Sequence, residues 1–246
     1  MAATPTSDRR SIAVVSDIHG NLTALRAVLA DIESRGITEI VDLGDIVGKG
    51  PRGSACVALA RERCAVTVAG NWEAMLLAEG LSHEALLWWR DELTDADREW
   101  LAALPLVHDM ELSGRTIRFL HASALSVFTR VFAQHSDEEF AAMFANTELT
   151  GPGPVPQVVC YGDIHNAYVR TMPGRMLLNA GSVGNPLDEP TASYLVLHGS
   201  DGPGPFGVEF VRVPYDVEAE IAVAFELGMP DLDAYAAELR TARYSR

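Results

Sequence analysis

Apolar and polar positions in the first half of the chain switch between a strand-like and a helix-like period. Residues 11–16 (SIAVVS) form a short β-branched run that stops at Asp17. Leu22, Leu25, Val28, Leu29 and Ile32 then recur at helical spacing, with Asn21 placed as the cap and Gly36 just past the end. Residues 39–43 (EIVDL) read as a second strand ending at Gly44-Asp45, followed by a turn-rich loop and an Ala-rich helix over 54–62. Residues 65–69 (AVTVA) read as a third strand, ending at Gly70-Asn71. Three strands, each broken at the C-terminal end by polar residues, predict a mostly parallel sheet with a site along that edge.

The middle of the chain reads as helical over 83–90 and 94–103, the second opening on Thr94 and Asp97 at capping-box spacing. Residues 107–112 and 116–121 flank Ser113-Gly114 and predict a hairpin. Ser136 and Glu139 cap a further helix expected to run to about Thr147, and the GPGPVP stretch at 151–156 reads as a loop before a strand over 157–161. Strands follow at 168–171, 176–179, 193–198 and 208–213, and two helices from Asp216. No internal repeat and no flexible linker interrupt the chain, so two sheets packed face to face in one domain are expected, with residues 1–10 loose.

Composition narrows the function classes. The 246 residues are 48% hydrophobic and 22% charged, an ordinary globular balance. A formal net charge of −15 argues against affinity won by neutralising the phosphates of a long nucleic acid, though not against a small phosphorylated substrate. The longest stretch without a charged side chain, 149–162, is proline-rich and too short to span a membrane, and residues 1–10 lack the apolar core of a secretory signal. Cys56, Cys64 and Cys160 are odd in number and fit no metal spacing, so reduced thiols in the cytoplasm are expected.

Metal-type ligands stand at the ends of the expected strands: Asp17 and His19, Asp45, Asn71, His121, and Asp163 with His165. Each alone reads as a turn, but together they can converge on one spot along a sheet edge. The blocks SDIHGN (16–21), LGDIVGKGP (43–51), AGNWE (69–73), LHAS (120–123), GDIH (162–165) and NAGSVGNP (179–186) occur in that order. This set resembles the calcineurin-like metallophosphoesterases, in particular their small bacterial and archaeal phosphodiesterase-like branch, and VRVPYDVEAEI (211–221) resembles that branch too. The resemblance implies an α/β fold, a four-layer α/β/β/α sandwich of two packed mixed sheets flanked by helices, with 1–246 as one domain and 216–246 packed on it as C-terminal helices. It implies two divalent cations, Mn²⁺ foremost with Fe, Zn or Mg as the other candidates. Asp17, His19 and His165 would bind the first, Asp45 would bridge, and Asn71, His121 and Asp163 would bind the second. Asp45, Asn71 and His121 would be catalytic, with a hydroxide between the metals attacking phosphorus in line. Two cations roughly 3.5–4 Å apart suit that task, and a carboxylate suits the bridge because it has two oxygens and a full charge.

Two departures from the family pattern matter. Trp72 stands where the family has a histidine after Gly-Asn, and an indole carries one N–H donor but no titratable proton. Loss of a general acid typically costs about 10²–10⁴ in rate. Trp72 is read either as core or, with Asn71, as a substrate-binding platform. Glu73 and His83 are near in sequence without an assigned role at the leaving group. Asp163 stands where the family has the first histidine of G-H-x-H, making a harder site. A core of two dications, three carboxylates and one hydroxide is then neutral, which favours a diester monoanion over a dianionic monoester; the alternative is that Asp163 misses the metal and a single cation binds. The 179–185 segment is expected as a structural loop near the metals. His83, His108, His135 and His198 are expected as surface or satisfied side chains, and Lys49 and Arg52 as solvated loop charges, with help in holding a substrate phosphate as the alternative. The expected activity is a metal-dependent phosphodiesterase on a small or nucleotide-like phosphoester, and self-association into a homo-oligomer is compatible with the sequence. The alternative, motivated by Trp72 and Asp163, is a weak or inactive module that binds metal or a phosphorylated ligand.

Overall fold

The computed structural model describes residues 9–245. Its first strand, β1 (Arg9–Val15), is covered on both faces: Ile12 and Val14 enter the layer between two sheets, while Ala13 and Val15 enter the layer beneath the helices. That is why the segment reads as an apolar run and not as an alternation. The same division recurs in β2 (Glu39–Asp42), β6 (Val158–Tyr161) and β9 (Ala192–Ser200), where for example Val158 and Cys160 face the other sheet and Val159 and Tyr161 face outward.

One sheet adds β3 (Val66–Thr67) and β10 (Gly207–Val213) in the order β10-β9-β1-β2-β3. The other combines β4 (Val107–Leu112), β5 (Arg115–Leu120), β7 (Ala167–Met172) and β8 (Arg175–Ala180) in the order β4-β5-β6-β8-β7. Both are mixed. The pairs β1/β2 and β2/β3 are parallel in the first, as are β5/β6 and β6/β8 in the second. Helices α1 (Leu22–Ser34), α2 (Gly53–Arg63), α3 (Asn71–Leu76), α4 (Glu84–Asp91), α5 (Asp95–Ala102), α7 (Val217–Glu226) and α8 (Leu232–Thr241) pack on the outer face of the first sheet. The short α6 (Asp137–Ala142) covers the second through Phe140, giving the expected α/β/β/α layering. No helix among the described residues is long and apolar enough to cross a membrane.

Most expected elements form, with differences that have local causes. Residues 1–8 of the segment expected to be loose lie outside the described residues, and Arg9 and Arg10 belong to β1, Arg10 pairing with Glu39 at 2.8 Å. β3 is shorter than the expected 65–69 strand because the Ala69 N–H leaves the ladder for the Pro105 carbonyl at 2.8 Å. α6 stops at Ala142 and not near Thr147. The buried Arg118 captures the Ala145 carbonyl at 3.0 Å and the Asn146 side chain at 3.1 Å, drawing that stretch out of the helix.

Because β1, β2 and β3 run one way in one sheet and β5 and β6 run together in the other, the connections leaving these strands are brought to one edge of the sandwich. Those connections carry Asp17 and His19, Asp45, Asn71, His121, and Asp163 with His165.

Candidate metal centre

Asp17, His19, Asp45, Asn71, His121, Asp163 and His165 are brought together, and each is at most 5% exposed. The backbone reaches this arrangement through conformations that non-glycine residues avoid: Asp17 (φ 53°), His19 (49°), Asp45 (56°), Asp163 (65°) and His165 (58°) are all left-handed. Each such residue costs on the order of 1–3 kcal/mol and persists only where surrounding structure imposes it. Here the imposing structure is a lattice of backbone bonds across the sheet edge. The Asp17 N–H donates to Gly44 O (3.0 Å), that of His19 to Asp45 O (2.8 Å), and that of Gly184 to Asp17 O (3.0 Å). The two D-I-H segments, one after each central strand, share this left-handed geometry and lie directly against one another. The Asp163 N–H donates to Asp17 Oδ2 at 3.0 Å, and a Cβ at Gly162 would fall 2.0 Å from Ser16 Oγ.

The three imidazoles are held in one sense. His121 Nδ1–H donates to Leu43 O at 2.8 Å, His19 Nδ1–H to Val47 O at 3.2 Å, and His165 Nδ1–H to Asn185 O. A carbonyl can only accept, so each ring in its neutral form keeps its proton on Nδ1 and turns the Nε2 lone pair to the centre, the tautomer a metal ligand needs. His19 Nε2 and His165 Nε2 lie 3.1 Å apart, an approach of two lone pairs that an intervening cation would relieve. Asp17 Oδ1, His121 Nε2 and Asp163 Oδ2 are buried without a hydrogen-bond partner. Buried polar atoms are rarely left so, and these three mark a place for a cation.

Two ligand groups emerge, Asp17–His19–His165 and Asp17–Asp45–His121, with ligand atoms within 4.8 Å of one another in each. Asp45 faces both, its Oδ2 3.6 Å from His19 Nε2 and its Oδ1 3.3 Å from His121 Nε2. Asp163 is the outlier. It is 4.0 Å from His121 Nε2, and its Oδ1 accepts from Asn71 Nδ2 at 2.8 Å and lies 3.4 Å from Arg130 Nε. With its amide nitrogen committed to Asp163, Asn71 keeps its carbonyl oxygen for a cation. Electrostatics within the centre are strongly coupled. Burial pushes the Asp17 carboxyl up, but His165, His121 and the Ser16 hydroxyl bring it down to about 2. Burial likewise pulls His121 down, and the surrounding Asp45, Asp17 and Asp163 carboxylates carry it well above the usual imidazole range. These residues fit a pair of divalent cations in donor type, tautomer and unfilled valence.

Other expectations are corrected. Lys49 and Arg52 are not solvated loop charges. Lys49 is 8% exposed and lies 3.1 Å from Asn185 Oδ1, while Arg52 pairs with the buried Glu220 of α7. Glu73, without an assigned role in the sequence reading, accepts from the backbone N–H groups of Asp45 (2.9 Å), Ile46 (2.8 Å), Val47 (3.4 Å) and Gly70 (2.7 Å), fixing the Asp45 loop from beneath. Its spacing from Gly70, three residues into α3, was the available sign of that role. Trp72 is packed against the core and also faces open space: its indole lies over Gly48, meets Trp89 edge-to-face at 5.5 Å, and borders a cavity of about 300 Å³ beside the centre. Lys49, Asn71, His83 and Arg130 line the same cavity, so His83 is a wall residue, and Arg130 is a neighbour that no sequence signal places there. His108, His135 and His198 lie elsewhere, against Phe119, Phe132 O and Glu209. The 179–185 segment braces the centre: Ser182 Oγ donates to Asp17 O at 2.7 Å and Asn179 Nδ2 to Gly162 O at 2.6 Å.

Residues 11–202 match the model of the calcineurin-like phosphoesterase superfamily domain. An uncharacterized protein of Methanocaldococcus jannaschii is 32% identical over 232 residues, covering 84% of this chain and 88% of its own. A metallophosphoesterase from Sphaerobacter thermophilus superposes with a TM-score of 0.74 at 26% identity, covering 95% of this chain and 99% of that one. A hypothetical protein from Pyrococcus horikoshii superposes at 0.76 with 16% identity, covering 95% and 98%, a likeness of fold.

Proposed function

The chain belongs to the calcineurin-like phosphoesterase superfamily, and from that membership we propose that it is a phosphohydrolase using two divalent cations, Mn²⁺ foremost, on small phosphodiesters. The observation that carries the reading is the convergence of three tautomer-fixed imidazoles with the Asp17 and Asp45 carboxylates, where Asp17 Oδ1 and His121 Nε2 are buried without a hydrogen-bond partner. Asp17, His19 and His165 would hold one cation, Asp45 would face both, and Asn71, His121 and Asp163 would hold the other. Bound there, such a pair supplies Lewis-acid charge at the phosphoryl oxygens and a nucleophile at neutral pH.

The chain's own residues set the rest. Asn71 presents its amide to the centre while Asp163 fixes its orientation. Lys49 and Arg130 border the cavity and offset the negative charge that Asp163 brings, so the ligand charges alone no longer separate monoester from diester. The diester is favoured instead by space, because a second ester group has a cavity to enter. Trp72 offers no proton, so esters with good leaving groups should turn over fastest. The free thiols Cys56, Cys64 and Cys160 support a reducing, cytoplasmic compartment.

The test is hydrolysis of bis-p-nitrophenyl phosphate by metal-stripped protein with and without Mn²⁺, beside Asp45→Asn. Turnover that requires Mn²⁺ and falls at least 10²-fold, roughly, in Asp45→Asn is expected. Bound Mn²⁺ without turnover would overturn the enzyme reading in favour of a metal- or phospho-ligand-binding module.

A further inference from the structure

The lining of the cavity beside the centre joins the polar side chains of Asn71, Lys49, Arg130 and Asp231 to the aromatic ones of Trp72, Trp89 and Phe128. At about 300 Å³ it stands at the small end of ligand sites, which run from roughly 300 to 1,000 Å³, so it suits one compact group and not a polymer. Trp72 is held by Gly48 beneath it, where a Cβ would come within 2.0 Å of the indole, and by the edge-to-face contacts with Trp89 and with His19 at 5.7 Å. A rigid aromatic wall next to cations matches a flat ring joined to an anion.

Phe128 and Arg130 come from the connection that starts at the candidate ligand His121 and ends at α6. The Ser123 hydroxyl ties its first turn, accepting from the N–H groups of Leu125 and Ser126 at 3.2 Å, and Phe128 N–H donates to Ser126 Oγ at 3.1 Å. Phe128 is nevertheless 59% exposed, a large apolar side chain beside the cavity with its face uncovered. Arg130 reaches inward to Asp163 Oδ1, the carboxylate that departs from the family pattern. We propose that this cavity binds a planar aryl ester group of the phosphoester, with Phe128 as its stacking wall and Arg130, oriented by Asp163, as the residue that holds the phosphoryl charge. This rests on the phosphohydrolase reading for what the aryl group is attached to. An alkyl group of similar polarity would fill the space without gaining the ring contacts.

Phosphonates separate this inference from turnover, because their P–C bond is not hydrolysed. Calorimetric binding of phenylphosphonate and of methylphosphonate to the Mn²⁺-loaded protein is measured for wild type, Phe128→Ala, Arg130→Gln and Phe132→Ala. Phe132 is in the same connection but does not line the cavity, and is the control. The phenyl compound should bind about tenfold tighter than the methyl one, and Phe128→Ala should remove most of that preference while Phe132→Ala keeps it. Arg130→Gln should weaken both compounds alike, by about tenfold. Equal binding of the two phosphonates, binding of neither, or an equal loss of preference in Phe132→Ala would each overturn the aryl site. Hydrolysis of methyl p-nitrophenyl phosphate, followed in parallel, tests the phosphohydrolase reading separately and can succeed when the aryl site fails.

Discussion

The side chains of the centre are positioned mainly by backbone groups, and one buried carboxylate, Glu73, holds the loop that carries Asp45. Asp17, His19, Asp45, His121 and His165 could be named because each ends a strand with a side chain able to ligate. What fixes them is mostly backbone, such as the carbonyls of Leu43, Val47 and Asn185 that turn the imidazoles, and carbonyls leave no mark in a sequence. Arg130 was invisible for a related reason, since its place depends on how the connection after β5 folds back. Glu73 is the sharpest case. This buried carboxylate accepts four backbone N–H groups from two loops, and burial together with Asp45 raises it to about 7. Removing it orphans those donors, each worth about 1–3 kcal/mol when buried and unpaired. Glu73→Ala should therefore lower unfolding free energy by at least about 3 kcal/mol in urea melts and weaken Mn²⁺ binding, because Asp45 loses its support. A variant with wild-type stability and affinity would show that the Asp45 loop holds itself.

At the scale of elements, the sequence was most informative where a local rule and the tertiary environment agree. Asn21 caps α1 by accepting from Ala24 N–H at 2.9 Å, the Thr94 capping box opens α5, and Ser113 and Gly114 both turn left-handed in the β4–β5 hairpin. α3 carries no separate signal in the sequence, because its six residues begin on Asn71, where a strand pattern ends. α6 ended early because Arg118, fully buried and paired with Asp109, outcompetes the helix for carbonyls. The start of α2 carries a pH dependence of its own. Glu92 accepts from Ser54 N–H at 2.9 Å, yet burial, with Asp97 adding to it, raises its carboxyl from 4.5 to about 7. A folded-state value above the unfolded one means the contribution is fully present below about pH 4.5 and is lost as pH rises through 7. Glu92→Gln should flatten this part of the stability profile, so that its urea midpoint gains on wild type between pH 5 and 8; parallel profiles would refute the assignment.

At the scale of the whole molecule, the two sheets share one apolar layer and one polar edge. The layer includes Ile12, Val14 and Val41 from the first sheet with Phe119, Cys160 and Leu178 from the second. The edge takes Asp17, His19, Asp45 and Asn71 from connections of the first sheet and His121, Asp163 and His165 from connections of the second. The C-terminal helices are tied to the same edge from behind, since Glu238 of α8 accepts from Asn185 Nδ2 at 3.1 Å and Asn185 O receives His165 Nδ1. A cation held at this edge binds the folded chain far better than the unfolded one, so loading must act on global stability and not on a local loop. At about 100 times the dissociation constant, one such cation adds roughly 2.7 kcal/mol, and for a chain of this length each kcal/mol is worth about 2–4 °C in Tm. Mn²⁺ should therefore raise Tm of the metal-stripped protein by roughly 5–10 °C in a single transition seen alike by tryptophan fluorescence and by far-ultraviolet circular dichroism. Asp45→Asn should reduce the shift. Two separated transitions, with only one moved by Mn²⁺, would mean that the sheets unfold independently and that the edge does not join them.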